Sequence, residues 1–196
     1  MTKLRMLVAT LVLAMSFSAT FAQASYAQGT VVMIIDEGRI LTDSKAGKDL
    51  FTKLKNIETQ INGELKAPRD ALEADRTSLA AQVDGKTREA IVADTALVAK
   101  IEAFQKKAND FAQKRTVLSQ EYAATEQKAF VDFNTALEPV LLEVVKEKGA
   151  QVVLSKSQAV FSADTVDATP AIVSKLDART PAITVVRQRA PAATPQ

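Results

Sequence analysis

Carboxylate, serine and lysine side chains are the main groups available for catalysis, because the sequence contains no histidine and no cysteine. Without imidazole or thiolate groups it lacks a Ser-His-Asp triad, a cysteine nucleophile and the usual nitrogen and sulfur ligands of zinc. Carboxylates lie beside lysines at helical spacing, as in Lys146–Lys148, which is typical of a solvated helix face. Ser155–Ser157 contains a Ser–Lys pair, but it lies between two strand-like segments and indicates a turn. We therefore expect no enzyme activity, no cofactor and no metal site.

The first 27 residues have the pattern of a secretory signal peptide. Lys3 and Arg5 form a basic start, the segment Met6–Phe17 is mostly apolar, and small residues follow it. The apolar segment is too short to cross about 30 Å of hydrocarbon. We expect an exported protein that is cleaved after Ala27, with cleavage after Ala24 as the alternative.

Removal of the signal peptide leaves a balanced charge. Two of the 25 basic residues and none of the acidic ones lie in the signal, so 23 basic residues remain beside 23 acidic ones. A general nucleic-acid-binding protein would have a strong basic bias. We expect no nucleic-acid partner.

The middle of the chain has the composition of long helices, rich in Ala, Lys, Glu, Gln, Asp and Leu. Apolar residues recur every 11 positions in the first half and every seven in the second. These rows are Leu50, Ile61, Leu72 and Val83, and then Leu97, Phe104, Phe111 and Leu118. A narrow apolar stripe in each half favours a two-helix seam over an ordinary helical bundle, which would need broader apolar faces.

The strongest turn signal lies between the two halves. Gly85 can adopt a positive φ and end the first helix, and Thr87 can cap the second. We predict an antiparallel helical hairpin arm over residues 44–139, with its tip at Asp84, Gly85 and Lys86. The return helix is predicted to run from about residue 87 to 148.

Gly63 and Pro68 interrupt the first helix of this arm. Proline removes a backbone donor and clashes with the preceding turn, so a kink or break is predicted there. These two residues are the candidate hinge of the arm.

Both ends of the mature chain predict a small β body, formed by residues 28–43 and 140–179. Residues 30–35, 151–154 and 159–161 are β-prone, and the last two segments are predicted to pair with each other, as a hairpin, and with the first. Three short strands leave two open edges, which favour pairing with other chains. The predicted fold class is therefore α+β.

The body is predicted to end in a short helix and a tail. Thr169 is the expected N-cap and Pro170 the first helical residue. Residues 180–196 form a Pro/Ala-rich tail, in which 182–186 could add a strand and the chain from Arg187 onward is expected to be disordered.

Two long segments resemble the Skp/OmpH family of periplasmic chaperones. They are VVMIIDEGRILTDSKAGK near the start and VVKEKGAQVVLSKSQAVF followed by VDATPAIVSKL near the end. The family pattern places a helix ending at Lys146, Lys148 and Gly149 before a strand, a turn and a strand, and then an acidic and a threonine cap residue at Asp167 and Thr169. The resemblance extends to about Arg179.

The resemblance implies a jellyfish-like homotrimer in the periplasm, whose strands close a β-barrel body and whose arms enclose a cavity. The family holds unfolded outer-membrane β-barrel proteins in that cavity without ATP. The strongly basic arm of many members is missing here, so no membrane or lipopolysaccharide contact is carried over. The residues expected to form the trimer body are Val31, Val32, Ile34, Val152, Val153, Leu154, Val160 and Phe161.

A structural protein is the competing interpretation: an envelope coiled-coil spacer or adaptor that binds no client. The narrow apolar stripe favours a spacer. The interruption at Pro68 and the mixed strand–helix body favour a chaperone.

Overall fold

The structure, a computed structural model, describes residues 29–189. The predicted signal peptide, its cleavage site at Ala27 and residues 190–196 lie outside this part of the chain. The elements, in order, are β1 (Val32–Ile35), α1 (Glu37–Asp43), α2 (Lys45–Val83), α3 (Arg88–Ala93), α4 (Thr95–Lys148), β2 (Val152–Ser155), short 3-10 turns at Lys156–Gln158 and Asp164–Val166, and α5 (Thr169–Arg179).

Helices α2 and α4 form the predicted hairpin arm. They contain 39 and 54 residues, which makes them about 58 and 81 Å long. Two hydrogen bonds show their antiparallel order: Lys100 Nζ donates to Gln82 Oε1 at 2.7 Å, and Lys107 Nζ donates to Asp75 Oδ2 at 2.7 Å. The α+β fold class with a long helical hairpin is confirmed.

The tip has the predicted turn but a different return. Gly85 has φ 68°, and Thr87 Oγ1 accepts a hydrogen bond from the Ala90 amide at 3.3 Å. The prediction of one continuous return helix is wrong, because the chain leaves helical geometry at Asp94. The Asp94 carboxylate caps α4 by accepting from the Leu97 amide at 3.0 Å, so a side-chain acceptor replaces the helical bonding at this break. This hydrogen bond is the main cause that lowers the pKa of Asp94.

The core of the body lies where α1, the start of α2, the end of α4 and α5 meet around β1. Helical spacing brings apolar residues of each element to this point. Its buried members include Met33, Ile40, Leu50, Phe133, Val140, Val144, Ile172 and Leu176. A smaller apolar cluster continues up the arm and contains Ile57, Ile61 and Leu118.

The two strands pair in parallel, with Val32 opposite Val152 and Ile34 opposite Leu154. The predicted pairing of 151–154 with the first strand is confirmed, but the predicted hairpin with 159–161 is wrong, because residues 159–161 do not form a strand. A 3-10 turn at Lys156–Gln158 follows β2 directly and carries the chain off the sheet. On the other side of β1, the Ala168 amide donates to the Ile34 carbonyl at 2.9 Å. The body therefore has one open edge, at β2, rather than two.

Thr169 has a different role from the predicted one. Ala168 occupies the N-cap position of α5. The Thr169 hydroxyl instead accepts a hydrogen bond from the Asp36 amide at 2.9 Å, while the Asp167 carboxylate accepts from the Thr169 amide at 2.8 Å. The buried hydroxyl is thus used between distant segments rather than on its own helix.

The predicted hinge lies in an unbroken helix. Helix α2 continues through both Gly63 and Pro68, so the alternative of a break in the helix is wrong. Bending at these residues stays a prediction.

Candidate functional site

The sheet carries exposed apolar side chains on both of its strand segments. Val31, Val152 and Leu154 are all exposed. Beyond the 3-10 turn that follows β2, Val160 is fully exposed and Phe161 has 86% of its surface exposed. A phenylalanine in this position leaves a large apolar area in water, which is typical of a surface that binds another protein.

The structure separates the residues predicted for the trimer body into two groups. Ile34 is buried within the body, and Val32 and Val153 are partly buried in the sheet. The exposed group, which is available to a partner, consists of Val31, Val152, Leu154, Val160 and Phe161.

The arm buries few side chains between its two helices, unlike a packed helical bundle. Within the described residues, Leu97 is the one buried side chain between positions 62 and 117. The seam between the helices contains a cavity of about 280 Å³ beside Pro68, Leu72 and Phe111, with Lys107 and Lys114 also in its lining. Asp110 lines it as well, so the apolar side chains are bordered by residues of both charges.

Residues 181–189 of the tail are docked against the base of the arm, which corrects the expectation of disorder at Arg187 and Gln188, while 190–196 lie outside the described residues. We call residues 181–189 the strap. Arg187 pairs with two helices at once: its Nη1 lies 2.5 Å from Glu64 Oε1 on α2, and its Nη2 lies 2.7 Å from Glu121 Oε2 on α4. The hydrogen bond from Arg187 holds the pKa of Glu64 below its ordinary value.

The strap backbone also has polar partners on the arm. The Ile183 amide donates to Asp49 Oδ2 at 2.9 Å, and Lys53 Nζ donates to the Ile183 carbonyl at 2.7 Å. Farther along, the Gln188 amide donates to Thr125 Oγ1 at 2.8 Å. Residues 182–186 do not form the predicted strand. The backbone amide and carbonyl of Ile183 are bound by side chains of α2 rather than by a sheet edge.

Sequence reasoning missed the two acidic partners of Arg187. Glu64 and Glu121 lie 57 positions apart, and nothing in their local sequence distinguishes them from other helix-surface carboxylates. The strap itself did leave a signal, because the β-prone run AITVV at 182–186 predicts an extended segment.

The sequence model that describes the OmpH family, outer membrane protein (OmpH-like), matches residues 31–176 of this chain. The chain belongs to the OmpH-like family. The resemblance noted in the sequence is therefore confirmed. A crystal structure described as an outer membrane chaperone (OmpH-like) from Caulobacter crescentus CB15 is similar to this OmpH-like protein, with 29% identity and a TM-score of 0.70. The similarity covers 82% of this chain and 92% of that one. No curated protein matches.

The family match ends before the strap begins. Residue 176 is the last matched position, and the strap occupies 181–189. The contacts of Arg187 are therefore a feature of this OmpH-like protein that the family pattern does not describe. Among residues 29–189, no helix is both long and apolar enough to cross a membrane.

Proposed function

We propose that this protein is an ATP-independent periplasmic holdase, which binds unfolded outer-membrane β-barrel proteins between the arms of a homotrimer and prevents their aggregation. The thin arm is the observation that carries this proposal. A pair of helices with one buried side chain between positions 62 and 117 contributes little stability to its own fold. Such an extension is better explained as a wall around a bound chain.

The exposed end of the body supports assembly. Val160 and Phe161 follow an open strand edge and together present apolar surface that one chain leaves uncovered. Full burial of one valine or phenylalanine side chain contributes about 1.5–3 kcal/mol of hydrophobic free energy. Closed rotational symmetry would cover the same patch on every copy, and three copies would place three arms around one cavity.

The membership in the OmpH-like family and the chaperone description of the Caulobacter relative support the same function. Export through the predicted signal peptide would bring the protein to the periplasm. N-terminal sequencing of the mature protein should then begin at Gln28, or at Ser25 for the alternative cleavage site.

Light scattering tests the holdase. A β-barrel outer-membrane protein unfolded in urea is diluted with and without the purified protein. We expect suppression of aggregation at about one trimer per client. A structural spacer would leave the scattering unchanged, and that result would contradict the proposal.

A shortened arm tests whether the cavity holds the client. Deletion of residues 73–83 and 99–109 removes paired segments of α2 and α4 and keeps the tip at 84–98. It shortens the arm by about 16 Å, close to three whole turns, so Leu72 takes the phase of Val83. We expect an intact trimer that protects clients less well. If the shortened trimer protected clients as well as the full-length trimer, the client would have to bind to the body rather than in the cavity.

A further inference from the structure

The strap lies in a groove at the base of the arm. We define the arm-root groove by the residues of α2 and α4 that contact or border the strap. Its polar members are Asp49, Lys53, Glu64, Glu121 and Thr125, and its apolar members are Ile57, Ile61, Leu118 and Tyr122. Both helices contribute, so the groove exists because the arm is a hairpin.

Alternate side chains of the strap face this groove. Ile183 is buried, Val185 packs against both apolar clusters, and the side chain of Arg187 is only 10% exposed. The intervening Thr184 and Val186 are exposed. A period of two is typical of an extended chain that contacts its binding surface with one face.

The groove provides hydrogen-bond partners for the backbone of this segment and contacts for its side chains. Asp49 accepts from the strap amide at Ile183, Lys53 donates to the carbonyl of the same residue, and Thr125 accepts from the amide at Gln188. Every extended polypeptide offers these backbone groups. Side-chain selection comes from the apolar positions and from the two carboxylates around Arg187, as in other modes of extended-peptide recognition.

We infer that the arm-root groove is a binding site for extended polypeptide segments with the pattern apolar–x–apolar–x–Arg, which the protein occupies with its own strap until a competing segment displaces it. The existence of the site does not depend on the holdase activity. That the competing segment belongs to an unfolded client rests on the proposed function.

The physical balance permits exchange of one segment for another. A tethered strap competes at an effective concentration on the order of millimolar, so it occludes the groove from weak ligands. The ion pairs of Arg187 lose hydration when they form, which offsets part of their attraction. A client with several matching segments can therefore replace the strap by multivalent binding.

A strap-released variant of the full chain tests the site. The triple variant Ile183→Ser, Val185→Asp and Arg187→Gln changes the three residues that face the groove. The matched control Thr184→Ser, Val186→Asp and Arg189→Gln introduces the same residues at exposed positions of the same strap. Circular dichroism checks that both variants keep their helices. Because Ile183 also packs in the body core, a second variant with only Val185→Asp and Arg187→Gln is measured in parallel.

The probe is a fluorescent synthetic peptide with the sequence of residues 181–189, PAITVVRQR. By fluorescence anisotropy we expect it to bind the released variants at least about tenfold more tightly than the wild type or the control, because the tethered competitor is gone. A peptide carrying Val185→Asp should lose this binding. Equal affinity for all proteins, or no binding to folded released variants, would overturn the assignment of the groove.

Displacement by a client is measured on the wild-type protein by hydrogen exchange. The amides of Ile183 and Gln188 are held by Asp49 and Thr125, so they should exchange faster when an unfolded β-barrel protein is bound. Unchanged protection in a complex that light scattering shows to be active would overturn the displacement. Absence of any complex would instead count against the proposed holdase function, while the peptide measurement still decides the site.

Discussion

Lys114 Nζ donates a hydrogen bond to the carbonyl oxygen of Glu64, 3.1 Å away. In an α-helix that carbonyl would accept from the amide four residues later, but residue 68 is proline and has no amide hydrogen. The return helix therefore supplies the donor that Pro68 cannot. Helix α2 continues through the candidate hinge without a break, with this bond in place of the missing amide.

The first prediction is an energetic coupling between these positions. Lys114→Met should destabilise the wild type by about 0.5–1 kcal/mol, because it leaves the Glu64 carbonyl without its side-chain donor. In a Pro68→Ala background, the introduced alanine provides the helical amide, so the same substitution should have almost no effect. Urea unfolding of the four proteins in a double-mutant cycle measures the coupling.

Lys107→Met serves as the control, because Lys107 pairs with the Asp75 side chain rather than with a freed carbonyl. Its effect should be the same in the wild type and in the Pro68→Ala background.

Amide exchange should also be faster at 63–68 than at 72–80 if the hinge bends, and uniform protection along α2 would argue against bending.

The second prediction concerns the buried ion pair of the strap. The side chains of Arg187 and Glu121 are only 10% and 9% exposed. Glu121→Gln should destabilise the protein by about 1–2 kcal/mol, because Arg187 loses a buried charged partner. The loss is limited because the strap can partly leave the groove and rehydrate Arg187. Glu102→Gln makes the same change at an exposed position of the same helix and should be neutral within about 0.5 kcal/mol. Equal stability of the two variants by thermal unfolding would contradict the role of the pair.

The third prediction is loss of strap docking in acid. Hydrogen bonds lower the pKa of Glu64, mainly through Arg187, and the pKa of Asp49, mainly through Lys53. A carboxyl group with a lowered pKa stabilises the docked state above its undocked pKa and loses that effect as pH falls through the docked value. Protection of the Gln188 amide should therefore be full at pH 7 and decline below the ordinary pKa values of 4.5 and 3.8. Glu64→Gln should flatten this decline, and an unaltered profile would exclude Glu64 as its cause.

The fourth prediction contrasts two glycines of α2. A Cβ atom at Gly47 would lie 1.7 Å from the Leu41 carbonyl oxygen, whereas one at Gly63 would have no heavy atom within 4 Å. Gly47→Ala should destabilise the body by more than about 2 kcal/mol, because backbone must move. Gly63→Ala should stabilise the helix by about 0.5–1 kcal/mol. Thermal unfolding gives both values, and a well-tolerated Gly47→Ala would show that the corner between α1 and α2 is looser than described.

The fifth prediction concerns assembly. Val160→Asp should break the proposed trimer, since burial of an unpaired charge costs several kcal/mol. Val92→Asp provides the control: Val92 is an exposed valine near the tip of the arm. Sedimentation equilibrium should give a trimer for the wild type and the control, and smaller species for Val160→Asp. A monomeric wild type would refute the trimer.

The sequence by itself determined the features that depend on neighbouring residues. The 11- and seven-residue apolar rows predicted the two helices of the arm and their seam. Gly85 and Gly149 both adopt the left-handed conformation at helix ends, and Thr87 caps the helix that follows it. Steric preference and helical period act over a few residues, so they can be recognised from local sequence.

Tertiary structure alone decided the partners of residues that are far apart along the chain. The sequence predicted that β2 pairs both with 159–161 and with the first strand, and in the folded chain it pairs in parallel with β1 alone. The Thr169 hydroxyl could cap its own helix, but it satisfies the Asp36 amide 133 positions away. Arg187 likewise reaches two carboxylates on different helices. Such choices depend on which buried polar groups would otherwise lack partners once the helices have packed, and no local pattern contains that information.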